Sequence, residues 1–122
     1  MATVLVVEDN AGNMKLATFL LQSVGHTVLA AADAEAGLTM ARDEHPNLIL
    51  MDIQLPGMDG LEATGLLKKT DSTQAIPVIA LTALTMKGDE ERIRAAGCDG
   101  YIVKPIRYKE FLTVIARQLA EA

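Results

Sequence analysis

The chain contains no tryptophan, two tyrosines, two phenylalanines and a single cysteine among 122 residues. Half of the residues are apolar, so with few rings available any core must be aliphatic. One thiol excludes an internal disulfide and any site built from several cysteines, and Cys98 reads as a small packed residue near a loop. Cations are in the minority, with 11 Lys and Arg against 16 Asp and Glu. A net charge of -5 without a compact basic run argues against general affinity for nucleic acid, which depends on cations neutralising phosphates. No long apolar segment is present to span a membrane, and Met1-Ala2-Thr3 leads into a strand pattern without a basic leader. A cytoplasmic chain is expected, with residues 1–122 forming one domain and no room for a second module.

What is present is a set of short apolar runs that end in charge. Leu48-Ile49-Leu50-Met51 opens onto Asp52 and then onto Leu55-Pro56-Gly57, the pattern of a buried strand ending at a loop. A carboxylate there is costly to desolvate unless something positive answers it. Val4-Leu5-Val6-Val7 likewise ends in Glu8-Asp9-Asn10, and Gly100-Tyr101-Ile102-Val103 ends in Lys104-Pro105. If these are neighbouring parallel strands, their carboxyl ends gather Glu8, Asp9, Asp52 and Lys104 in one crevice. Carboxylates at close range favour a proton or a hard cation over remaining bare. Magnesium suits them, because it takes one or two carboxylates, keeps several waters and completes its shell with phosphate oxygen.

Between these runs lie helical patterns. Met14, Leu16, Ala17, Phe19, Leu20, Leu21 and Val24 suggest an apolar stripe on a helix from Ala11, with Gly25 at the position of a C-cap glycine. A second strand is expected over His26 to Ala31, and a second helix from an Asp33 N-cap to Glu44, stopped by His45-Pro46-Asn47. Leu61, Ala63, Thr64, Leu66 and Leu67 mark a third helix, Ile76 to Leu81 a fourth strand, and Asp89 to Ala96 a helix closed by Gly97. Gly100 to Val103 is the fifth strand, and Arg107 to Leu119 a last helix with Phe111, Leu112, Ile115, Ala116 and Leu119 as its apolar stripe. Five strands alternating with five helices predict an α/β doubly wound parallel sheet of flavodoxin-like order 2-1-3-4-5. That order puts the ligand between strands one and three, which are the strands ending in Glu8-Asp9 and Asp52.

Glu8-Asp9, Asp52, Thr82-Ala83 and Lys104-Pro105, each following an apolar run in this order, resemble the receiver domains of two-component response regulators over essentially the whole chain. Val-Glu-Asp-Asn, Met-Asp-Ile-Gln-Leu-Pro and Met-Lys-Gly-Asp-Glu-Glu-Arg-Ile-Arg look like the stand-alone cell-cycle receivers of the DivK type. The resemblance implies that Asp52 accepts a phosphoryl group from a phosphohistidine on a partner histidine kinase. It implies magnesium held by Asp9, Asp52 and the Gln54 carbonyl, with Glu8 acting through water, while Lys104 and the Thr82 hydroxyl hold phosphoryl oxygens. Tyr101 is implied as a switch aromatic that turns inward when Thr82 moves, and the Lys104-Pro105 bond is expected to be cis. Gln54 and Leu84 fall where such receivers place the water that hydrolyses the acyl phosphate, and Leu84 has no group with which to do so. Partners would be a sensor kinase or phosphatase, an adaptor or a histidine phosphotransfer protein. The chain is expected to be a monomer that acts as a phosphorylation-dependent ligand or as a phosphorelay intermediate, and not as an enzyme on a small molecule.

Two other functions of this fold class fit less well. A flavin phosphate needs backbone N–H groups and hydroxyls after the first strand, and Glu8-Asp9-Asn10 would repel it. A haloacid-dehalogenase-type phosphatase wants a second carboxylate two residues after the nucleophile, where Gln54 stands. His26 and His45 lie at helix-to-strand junctions away from the acids and read as solvent-facing, and the scattered methionines read as packing.

Overall fold

The computed structural model describes residues 2–83 and 88–121. Five strands alternate with five helices: β1 (Thr3–Val7), α1 (Ala11–Ser23), β2 (Thr27–Ala31), α2 (Ala34–Glu44), β3 (Leu48–Asp52), α3 (Gly60–Lys69), β4 (Val78–Thr82), α4 (Asp89–Ala95), β5 (Gly100–Val103) and α5 (Tyr108–Glu121). All pairings are parallel and the order is β2-β1-β3-β4-β5, as the alternation of patterns predicts. Alternate residues of the central strands supply two cores. Val4, Val6, Leu48, Leu50, Ile79 and Leu81 face α1 and α5, where Leu20, Leu21, Phe111 and Ile115 close over them. Leu5, Val7, Ile49, Met51, Val78 and Ala80 face the other three helices, through Ala34, Ala63, Leu67 and Ile93. Covered on both faces, these strands need apolar residues at every position, which is why they read as unbroken aliphatic runs.

Local signals set the ends of the helices. Asn10, Asp33 and Asp59 each accept a backbone N–H from three residues on, capping α1, α2 and α3. At the far end of α1, Gly25 has a φ of 93° and donates to Gln22 O, while His26 N–H reaches Leu21 O. This is the paired C-terminal bonding that a left-handed residue permits and a glycine favours.

Three expectations need correction. β4 begins at Val78 and not at Ile76, because Ile76 N–H turns back to Thr73 O and Pro77 has no N–H to give a ladder. Leu16, Phe19 and Val24 do not belong to the buried stripe of α1: Phe19 is 67 % exposed and only Ala17, Leu20 and Leu21 are fully covered. His26 is half-buried, since its Nδ1 accepts the Ala2 N–H at 3.1 Å. Burial, then the nearby N-terminal charge, holds its pKa below the ordinary 6.5. Cys98 is buried and free, 3.9 Å from Thr64 Oγ1, and burial pushes its thiol up. Among the described residues, no helix is long and apolar enough to cross a membrane.

Candidate functional site

Strand register builds the site. Val7 pairs with Met51, Asp52 with Leu81 and Thr82 with Val103, so the first residues beyond these pairs emerge together at the carboxyl edge of the sheet. Glu8 continues the ladder through its N–H to Ala31 O, and Lys104 does so through its N–H to Thr82 O at 2.7 Å. The Lys104-Pro105 bond is cis, as expected. Glu8, Asp52 and Thr82 are almost wholly buried, whereas Asp9 and Gln54 are exposed. The structure therefore brings together Glu8, Asp9, Asp52 and Lys104, with Thr82 beside them on the end of β4.

Lys104 Nζ lies 3.1 Å from Asp52 Oδ2 and 2.8 Å from Glu8 Oε1. The first contact is a hydrogen bond. The second is an ion-pair approach off the hydrogen-bond direction, and it leaves Glu8 Oε1 as a buried oxygen with no hydrogen-bond donor. Glu8 Oε2 accepts the Asn10 N–H at 3.3 Å, and Asp52 Oδ1 accepts the Gln54 N–H at 2.9 Å.

One ammonium brings a single positive charge to two buried carboxylates, so one negative charge stays uncompensated when both are ionised. Burial, then the close Asp52 carboxyl, raises Glu8 from its ordinary 4.5 to about 7, against the pull of Lys104 and the Asn10 N–H. For Asp52, burial also acts upward, but the close Glu8 carboxyl, the Gln54 N–H and Lys104 outweigh it and hold the carboxyl below its ordinary range. Lys104 is raised: burial works against its charge, and Glu8 and Asp52 more than compensate. Of the two carboxyls, Glu8 is therefore the one that takes up a proton more readily, and Asp52 is the one held ionised.

Oxygens of Glu8, Asp9 and Asp52 lie within 4.8 Å of one another. This hard-oxygen set, with an unsatisfied buried oxygen on Glu8, fits a divalent cation such as magnesium. Gln54 follows in the loop beyond Asp52, and its backbone is anchored by the bond to Oδ1. Tyr101 is half-buried and packs on the α2–α4 side of the sheet. It pairs with Ala80, two residues before Thr82, so Thr82 and Tyr101 share that face by strand alternation. Leu84 lies outside the described residues.

Sequence reasoning passed over Gly60 and Asn10. Asn10 caps α1 and braces Glu8 at once, and Gly60 is buried against the backbone of Asp52. The available signal was Asp59-Gly60 as a cap followed by the smallest residue at the start of a helix.

Comparison with known proteins agrees with this geometry. The response regulator receiver domain family matches residues 4–116. The polar-differentiation response regulator DivK of Brucella ovis is 48% identical over 120 residues, covering 98% of each chain, and DivK of Brucella anthropi is equally similar. Among solved structures, the chemotaxis response regulator CheY4 of Vibrio cholerae superposes with a TM-score of 0.92 at 28% identity, over 97% of this chain and 98% of that one. The receiver domain of sensor histidine kinase PA1611 from Pseudomonas aeruginosa does so with a TM-score of 0.90 at 33% identity, over 98% of each chain. That structure has a magnesium ion coordinated in its active-site cleft.

Proposed function

Because this chain belongs to the response regulator receiver domain family, we propose that it is a single-domain response regulator, one receiver unit over residues 1–122, phosphorylated on Asp52 by a partner histidine kinase. The observation that carries this reading is the Lys104 ammonium set between Asp52 Oδ2 and Glu8 Oε1. It keeps Asp52 ionised inside a buried pocket and supplies a cation that can follow an incoming phosphoryl group.

An Asp52 carboxylate oxygen attacks the phosphorus of phosphohistidine. The new O–P bond forms as the P–N bond breaks, and the imidazole leaves with the electron pair and takes up a proton. Asp52 becomes an acyl phosphate. Its Oδ1 is held in place by the Gln54 N–H, while Lys104 exchanges Oδ2 for a phosphoryl oxygen. The Thr82 hydroxyl, on the end of β4, takes another phosphoryl oxygen, and its movement lets Tyr101 turn inward. Glu8, Asp9, Asp52 and the Gln54 carbonyl are the groups that would hold magnesium, with Glu8 acting through water. When bound, the ion offsets the negative charge that gathers on the transferring group. The signal then passes through contacts with a kinase, phosphatase or adaptor. By likeness to the DivK regulators, its setting is the control of cell polarity and division in the cytoplasm.

Acetyl phosphate with magnesium should place a single adduct on Asp52, located by mass spectrometry. Labelling that persists in Asp52→Asn, or that ignores a chelator, would overturn the assignment. Transfer of radiolabelled phosphate onward to a histidine phosphotransfer protein would make the chain a relay carrier instead of an allosteric ligand.

A further inference from the structure

The first residue of α3 is pressed against the peptide of Asp52. A Cβ built on Gly60 would collide with the Asp52 carbonyl oxygen, and would stand 2.7 Å from Ile53 Cα and 2.8 Å from Asp52 C. All three are backbone atoms, so no side-chain rotation relieves the clash. Gly60 N–H also donates to Ile53 O at 3.3 Å, closing the loop that leaves Asp52 and returns to α3. That loop carries Gln54, whose N–H fixes Asp52 Oδ1.

We infer that Gly60 is a positioning residue for phosphoryl transfer: its missing side chain seats α3 directly on the Asp52 peptide, and this contact sets where the Asp52 carboxylate and the Gln54 carbonyl stand. The inference rests on the reading of Asp52 as phosphoacceptor. Gly60 is not in the left-handed region, so alanine there is resisted by space alone. To admit a methyl group, either the start of α3 or the end of β3 must shift. The reacting group is on β3, and displacements of about 1 Å in such sites can cost roughly a hundredfold in rate.

Two other glycines act as internal standards. Gly65 lies on the same helix with nothing within 4 Å of a built Cβ. Gly97 lies at the opposite end of the sheet, where a φ of 104° and Lys68 Cγ at 2.9 Å make alanine unfavourable for reasons unrelated to Asp52.

Gly60→Ala, Gly65→Ala and Gly97→Ala should be compared in the intact protein by thermal melting, magnesium titration calorimetry and labelling with acetyl phosphate. In Gly60→Ala the maximal labelling rate should fall by about tenfold or more with little change in half-saturation, and magnesium should bind about tenfold more weakly. Gly65→Ala should label and bind magnesium as wild type does, and Gly97→Ala should melt earlier while labelling normally. If folded Gly60→Ala matches wild type in rate and affinity, or if Gly97→Ala loses both to the same degree, the inference is wrong.

Should Gly60→Ala fail to fold, Asp59 provides the test. Its Oδ1 holds the first turn of α3 through Glu62 N–H at 2.8 Å. Asp59→Ala removes this cap, whereas Asp59→Asn removes only the charge. Slower labelling and weaker magnesium binding in Asp59→Ala than in Asp59→Asn support the seating role; equal values overturn it. A wild type that does not label would instead remove the assignment of Asp52. Magnesium affinity and the Gln54 amide resonance, which reports the bond to Asp52 Oδ1, would then still decide the role of Gly60.

Discussion

The Lys104 ammonium stands 3.1 Å from Asp52 Oδ2, near enough to neutralise the carboxylate, whose other oxygen the Gln54 N–H holds. On the proposed reading, this single contact acts in opposite senses on the two ligands: Lys104 would be a partner for an arriving phosphoryl group and a competing positive charge for a divalent cation at the same carboxylates.

Lys104→Met should therefore tighten magnesium binding and slow labelling of Asp52. A hydrogen bond to a charged group is worth about 1.5–3 kcal/mol, so the labelling rate should drop by roughly 10- to 150-fold. Calorimetry and acetyl phosphate kinetics on the same variant read the two effects separately. A parallel loss of both would mean that Lys104 serves to hold the pocket together and not to balance its charge.

Glu8 predicts an unusual dependence of stability on pH. Its carboxyl ionises near 4.5 when unperturbed and at about 7 in the fold. Between these values the folded state holds more protons than the unfolded chain, so stability falls as pH rises. The contribution is fully present below about 4.5 and lost as pH passes through about 7. Asp52, held below its ordinary 3.8, titrates outside that window. His26, depressed from 6.5, acts in the opposite sense, adding stability that is lost as pH falls. The comparison must therefore be made between wild type and Glu8→Gln, which share His26. Without metal, the difference in melting temperature should move in favour of Glu8→Gln from pH 5 to pH 8, and magnesium should reverse it. A difference that does not vary with pH would show that Glu8 is not protonated in the folded protein.

Thr82 and Tyr101 lead to a third prediction. Thr82 is buried at the end of β4, and Tyr101 is half-buried on the same face of the neighbouring strand. If the phosphoryl group draws Thr82 towards it, space opens beneath the ring, and an existing equilibrium shifts on the surface formed by α4, β5 and α5. Beryllofluoride should therefore change amide resonances along β5 and α4 as well as beside Asp52. Tyr101→Ala should confine the changes to the pocket. Changes that are confined there already in wild type would rule out this face as the reporter.

Much of this arrangement was legible because the strands are doubly covered. An aliphatic run that stops at an acid or a lysine marks the carboxyl edge of the sheet, and parallel order then collects Glu8, Asp52 and Lys104. The start of β4 was misread because Ile76 is as apolar as the strand, and what delays the ladder is the turn of its N–H back to Thr73 O together with the missing N–H of Pro77. Periodicity likewise counted Phe19 into the core, although the turn of α1 that covers the sheet presents Leu20 and Leu21 instead. The raised pKa of Glu8 and the seat of Gly60 were illegible for a different reason. Both depend on separations of a few ångströms between segments distant in sequence, and residue type carries no such information.

The lifetime of the phosphorylated state rests on the two positions implied to place the hydrolytic water. Gln54 is exposed beside Asp52 and offers both an amide donor and an acceptor. Leu84 offers neither, and lies outside the described residues. With one of two positioning contacts lacking, water spends less time in line behind the phosphorus, and self-dephosphorylation should be slow. Leu84→Glu should restore the contact and shorten the lifetime of the Asp52 adduct by about tenfold, or roughly 1.4 kcal/mol of barrier. Gln54→Leu in the wild-type background should lengthen it, which a purely steric effect at Leu84 would not predict. Loss of the adduct should be followed in all three proteins with magnesium held constant. A lifetime in Leu84→Glu equal to or longer than that of wild type means that the water is positioned by other groups, and that the slow clock has a different origin.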